Sequence, residues 1–252
     1  MKDCCDMYLI LLLIGFASSA YGMMIGAGGG FILVPLLLLI YGLSPEVAAG
    51  TGLFIVLISS LSGLYAYVKK RQVLFKMGLL VSVGAVPGTL LGRWLLVGIE
   101  AQLFYTAFAL LMIGLGVFLM IKSPPKEEVA SGNIQSASIH LLPLIGCMIG
   151  MLSSFFGVGG GFLLVPILVF AWKLPFHQAA GTSIFALVIY SFVGTVPSYV
   201  QGQIDWYIAF WSGIGVLIGS QIGVYVSSRL KAVYLTRLLA ILVIGIGISL
   251  VV

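Results

Sequence analysis

The chain has 252 residues, of which 61% are hydrophobic and 8% charged, with a formal charge of +5 and a mean hydropathy of +1.22. A soluble globular domain carries about a quarter of its residues as charges, so this composition excludes one and points to an integral membrane protein. The basic residues are divided among short loops and form no single face, which makes them topology signals and leaves no nucleic-acid partner to expect.

The first apolar run extends from Met7 to Ile25. Its leading segment, MKDCCD, is net negative where a signal peptide begins positive, so the run is expected to stay as a membrane element. The stretch GAGGGFILVP from Gly26 to Pro35 follows, opening a short apolar run from Phe31 to Tyr41. Helices are predicted over Pro45 to Val68, Met77 to Val97 and Ala101 to Ile121, with the basic loop KKRQVLFK from Lys69 to Lys76 between the first two. A polar segment from Lys122 to Ser138, containing Pro124, Pro125, Glu127 and Glu128, forms the expected linker.

Residues 139–252 then repeat residues 1–121 without a gap. GVGGGFLLVP at Gly157 to Pro166 matches the first stretch at eight of ten positions, 131 residues on. AAGT at Ala48 to Thr51 returns at Ala179 to Thr182, and the ladder Gly84, Gly88, Gly92 returns as Gly215, Gly219, Gly223. The four-residue spacing of that ladder lets membrane helices approach closely, within one chain or between two copies, so a homodimer is the expected assembly. The expected fold is an all-α polytopic bundle of two repeats, each with about four transmembrane helices plus a glycine-broken segment that re-enters or forms a short helix. Alternating short segments of a membrane β-barrel are missing.

The Lys and Arg residues decide the orientation of the repeats. If each broken stretch counts as two crossings or a re-entrant hairpin, the outer side carries Lys2 and Arg93, and the inner side carries the other ten basic residues. If each is a single kinked helix, the split is seven to five. Positive residues concentrate in cytoplasmic loops, so the repeats are expected to be inverted, with both termini outside and the linker in the cytoplasm. Trp94, Trp172, Trp206 and Trp211 fall near predicted helix ends, as interfacial aromatics do.

A glycine break inside an apolar run frees backbone groups that lipid cannot satisfy. Paired broken helices at the midplane are a recurring plan for transporter substrate sites. Gly26, Gly28, Gly29 and Gly30, with Gly157, Gly159, Gly160 and Gly161, are therefore candidate substrate-binding residues. Helices starting at such a break direct N–H groups and dipole ends at a ligand, which favours an anion. Each terminus contributes about 1 kcal/mol, or up to about 2 when partly buried, so the hydroxyls of Thr51, Thr182 and Ser183 are added to the site. Ser153 and Ser154 lie just ahead of the second break. Glu46 and His177 occupy equivalent helix starts and are candidate gates or coupling groups. Arg93, a turn inside the outer end of its helix, either guides an anion or extends its head to the lipid headgroups. His140 is expected to be solvated.

Cys4, Cys5 and Cys147 have no metal or redox spacing, and no cofactor or metal is expected. No carboxylate lies deep in an apolar run, but an exported anion gains about 2.3 kcal/mol per charge per 100 mV from an inside-negative potential. An intramembrane enzyme would need a nucleophile with a base, or an aspartate pair, and neither His140, His177 nor Asp205 is placed for that. An anion channel shares the expected architecture.

The paired GxGGGFxxVP stretches, the AAGT after each and the duplicated glycine ladders resemble the sulfite exporter TauE/SafE family of bacterial membrane proteins, over nearly the whole chain. The resemblance implies a plasma-membrane transporter that exports sulfite or a small organosulfonate such as sulfoacetate. It agrees in sign with the anion site argued from the backbone donors.

Overall fold

The computed structural model describes residues 2–121, 136–230 and 232–250. Most of the predicted linker, residues 122–135, lies outside the described residues. Among the described residues, ten α-helices follow in order: α1 (Lys2–Ile25), α2 (Gly30–Tyr41), α3 (Pro45–Lys69), α4 (Phe75–Leu96), α5 (Ala101–Ile121), α6 (Leu142–Phe156), α7 (Gly161–Ala171), α8 (Phe176–Val200), α9 (Trp206–Ser227) and α10 (Ala232–Ser249). A 3-10 turn, Ser136–Leu141, leads into α6. Among the described residues there is no strand, and seven helical segments are long and apolar enough to cross a membrane. The chain is a multi-pass membrane protein.

At 12 and 11 residues, α2 and α7 are about 18 Å long at 1.5 Å per residue, well short of a hydrocarbon core of about 30 Å. Each carries an internal proline at the equivalent position, Pro35 and Pro166. Both are apolar on all sides, which suits elements that neither reach water nor face it.

The two halves interlock. The first helix of each packs along the fourth helix of the other, α1 on α9 and α6 on α4. Small residues allow this. Gly84, Gly88 and Gly92 lie directly on the backbone of Pro143, Cys147 and Met151, and Gly215, Gly219 and Gly223 lie on that of Leu12, Phe16 and Ala20. A side chain at any of the six would displace a backbone, so close approach needs glycine here. The ladders are thus buried inside one copy and present no free seam to a second.

Contact registers give helix directions. Gly84, Gly88 and Gly92 advance with Pro143, Cys147 and Met151, so α4 and α6 run parallel, and α9 and α1 do the same. By contrast, Gly50 meets Ser198, Leu53 meets Gly194 and Tyr67 meets Gly181, so the equivalent helices α3 and α8 run antiparallel. The equivalent pair α5 and α10 is also antiparallel, with Gly116 on Ile244 and Gly247 on Ile113.

Candidate functional site

The glycine stretches end one helix and begin the next in a tight left-handed turn. Gly26, Gly28 and Gly29 have φ of 81°, 80° and 81°, and Gly157, Gly159 and Gly160 have 72°, 74° and 34°. An L side chain in that region pays about 1 to 2 kcal/mol, so the residue type follows from the backbone path. No side chain caps α2 at Gly29 or α7 at Gly160.

The two breaks meet at the centre of the bundle. A Cβ on Gly161 would lie 2.6 Å from the Gly26 carbonyl oxygen and 2.9 Å from the Ala27 Cα, and one on Gly30 would lie 2.9 Å from the Val158 carbonyl oxygen. Gly28 and Gly159 both face the same two side chains, Val56 of α3 and Leu187 of α8. Phe31 and Phe162, the first side chains of α2 and α7, stack with ring centres 6.0 Å apart. All four apolar residues are buried. The meeting point of the breaks is therefore apolar and closed in this conformation.

Each AAGT stretch supports the break of the opposite half. Gly26 sits on Ala180, Gly157 sits on Ala49, and Gly52 touches the Gly157 carbonyl. The threonines that close these stretches act at one remove from the breaks. Thr51 Oγ1 accepts from the Asp205 N–H at 2.9 Å, and Thr182 Oγ1 accepts from the Leu74 N–H at 3.0 Å. Each ties down the loop ahead of a helix, α9 or α4, in the other half. Ser183, at the position equivalent to Gly52, is buried with its hydroxyl unpartnered.

Glu46 and His177 are again equivalent in what they bind. Glu46 Oε1 accepts from the Gly98 N–H at 3.1 Å, just past the end of α4, and His177 Nε2 is 2.9 Å from the Ser227 carbonyl at the end of α9. That carbonyl can only accept, so Nε2 carries the proton. Arg93 does not reach for headgroups: it is buried, with 3% of its surface exposed. Among the described residues no cluster of His, Cys, Asp or Glu could hold a metal ion. Two cavities of about 270 and 240 Å³ have apolar linings, one beside α5 and α7 and one beside Phe54 and Trp206, and neither includes the glycines.

The sequence pattern of the sulfite exporter TauE/SafE family matches residues 11–250. The chain belongs to this family. It is 28% identical over 267 residues to the probable membrane transporter protein YunE of Bacillus subtilis, covering 97% of each chain. It is 29% identical over 246 residues to a probable membrane transporter protein of Xylella fastidiosa, covering 94% of this chain and 90% of that one. A similar protein of Methanocaldococcus jannaschii is 27% identical over 205 residues, covering 79% and 74%. No solved structure matches the chain.

Within this TauE/SafE member, two tyrosines complete the breaks, and sequence reading missed both. Tyr67 donates to the Met23 carbonyl at 2.8 Å and Tyr190 donates to the Gly159 carbonyl at 3.1 Å. Each adds a side-chain donor to a carbonyl that also takes a backbone N–H of the same break, Met23 from Gly26 and Gly159 from Gly161. The available signal was a tyrosine inside an otherwise apolar run of α3 or α8. Its role stayed hidden because the two are not at equivalent positions: the counterpart of Tyr190 is Ser59, which bonds Ser19 at 3.1 Å.

Proposed function

We propose that the protein exports a small anion, sulfite or an organosulfonate such as sulfoacetate, across the plasma membrane, and that the anion passes the paired glycine breaks as one half moves against the other. The observation that carries this reading is the meeting of two left-handed, uncapped helix starts at one point. The backbone N–H groups and dipole ends of two helix starts favour negative charge there, and glycine permits close approach of a ligand to the backbone. The hydroxyl hydrogens of Thr51 and Thr182 remain available as donors, since each oxygen is engaged as an acceptor.

The closed centre of Val56, Leu187, Phe31 and Phe162 supports a carrier, because an open channel would leave a wetted path. Movement needs flexible ties, and Glu46 and His177 link α3 to the end of α4 and α8 to the end of α9, where changing one bond would loosen one face. The antiparallel arrangement of α3 with α8 and of α5 with α10 supports inverted repeats, since parallel repeats would place equivalent helices in the same direction.

The test is flux in proteoliposomes loaded with sulfite, sulfoacetate, sulfate or chloride under an imposed potential. Saturable movement of sulfite or sulfoacetate is expected. If no anion moves or binds, the transport reading fails.

A further inference from the structure

Arg93 is the only charged side chain buried among the described residues. Its Nε, Nη1 and Nη2 are all enclosed without a hydrogen-bond partner, and it forms no ion pair there. Glu46 accepts from the Gly98 N–H through Oε1, just past the end of α4, and makes no hydrogen bond to the guanidinium. Buried guanidinium groups are normally paired, because the desolvation penalty is otherwise uncompensated. A second buried donor lacks a partner nearby. Ser154 Oγ of α6 has none, and it converges with Thr89 at Gly194 of α8, lying 3.6 Å from where a Cβ would stand while Thr89 Cγ2 lies at 3.0 Å.

The geometry joins these groups. Thr89 is one turn ahead of Arg93 on the same face of α4, so Arg93 follows Thr89 along the side of α4 that borders this corner. Parallel packing of α4 on α6, with Gly92 on Met151, brings Ser154 to the same level. The Thr89 hydroxyl donates to the Ala85 carbonyl at 2.7 Å, so its methyl closes the corner and the donors left over are those of Arg93 and Ser154.

We propose that Arg93 and Ser154 form an anion-binding station between α4, α6 and α8, separate from the glycine breaks, that takes the head of an oxyanion. The planar guanidinium fork matches two oxygens of one sulfite or sulfonate group and fits a spherical halide poorly. The station exists in one half only. The equivalents of Arg93 and Ser154 are Val224 and Met23, and there the polar groups are mutually satisfied: Lys70 Nζ donates to the Val224 carbonyl at 3.1 Å and Ser227 Oγ to the Met24 carbonyl at 2.8 Å. The station therefore marks one face of the protein, the face carrying the end of α4, as the side where the anion pauses before release. This rests on the anion-transport reading.

The test uses the full chain in proteoliposomes, with sulfite and chloride as probes, together with sulfite-induced thermal stabilisation in detergent. Arg93→Met is expected to raise the KM for sulfite tenfold or more and to lose the stabilisation by sulfite, while the ligand-free protein melts no lower than wild type because an unpaired buried charge is gone. Arg93→Lys, which keeps charge without the fork, is expected to lose discrimination between sulfite and chloride. Ser154→Ala removes only an unpartnered hydroxyl and is expected to raise KM about fivefold. Wild-type KM and sulfite stabilisation in Arg93→Met would overturn the station. Should that variant not fold, unchanged KM and stabilisation in Ser154→Ala would do the same. Wild-type protein that neither moves nor binds any anion defeats the transport reading itself, which separates the two failures.

Discussion

The hydroxyl of Tyr190 donates to the carbonyl of Gly159 at 3.1 Å, reaching from the middle of α8 into the second glycine break. Both partners are buried, so the bond holds the break's shape where neither lipid nor water can. Tyr190→Phe removes one of the two donors to the Gly159 carbonyl, leaving the Gly161 N–H, at almost unchanged volume. The expected cost is about 0.5–1.5 kcal/mol, read as a lower melting temperature in detergent, accompanied by reduced sulfite flux. Wild-type melting and flux would show that the bond does not hold the break.

Gly28 separates the fold requirement from the passage requirement. A Cβ there would meet only the Val56 and Leu187 side chains, at 3.2 and 3.3 Å, whereas one on Gly29 would press on the Ser18 carbonyl and the Ser19 Cα. Gly28→Ala is therefore expected to fold, at a cost of about 1–2 kcal/mol for its left-handed φ, and to lower flux at least tenfold. Gly29→Leu is expected to fail in expression or to elute as aggregate. Normal flux through purified Gly28→Ala protein would return this glycine to a packing role.

Gly88 tests the interlock of the halves. It rests on the Cys147 backbone with no room for a side chain, so Gly88→Leu must part α4 from α6. Overpacking typically costs about 1–3 kcal/mol. Here the obstacle is a backbone that cannot rotate away, so loss at the upper end of that range or beyond is expected. Gly114, with nothing within 4 Å of its Cβ position, is the control: Gly114→Leu is expected to keep wild-type melting. Equal melting of the two variants would contradict the close packing of α4 on α6.

We propose that both termini lie outside, as the distribution of basic residues implies for inverted repeats. A C-terminal fluorescent reporter that matures only in the cytoplasm is expected to stay dark, while the same reporter inserted at Arg71 in the loop between α3 and α4 is expected to glow. A bright C-terminus would reverse the orientation of the second half.

The membrane class, the all-helical architecture, the duplication and the segment boundaries were legible in the sequence, because each follows from local properties: run length, charge spacing and residue identity at a fixed offset. The helix starts at Pro45 and Ala101 coincide with expectation, and the glycine stretches lie where α1 yields to α2 and α6 to α7. The sequence also supplied the family through motifs that repeat in both halves. Tertiary structure alone decided which surfaces meet. It paired α1 with α9 and α6 with α4, pressed the two breaks together behind Val56 and Leu187, turned Thr51 and Thr182 toward loops of the opposite half, and enclosed Arg93 instead of sending it to the lipid surface. The reason is physical. In an apolar chain nearly every helix face is equally hydrophobic, so periodicity does not distinguish a buried side from a lipid-facing one. Partner choice then depends on where glycine lets two backbones touch, and that becomes visible only when both helices are in place.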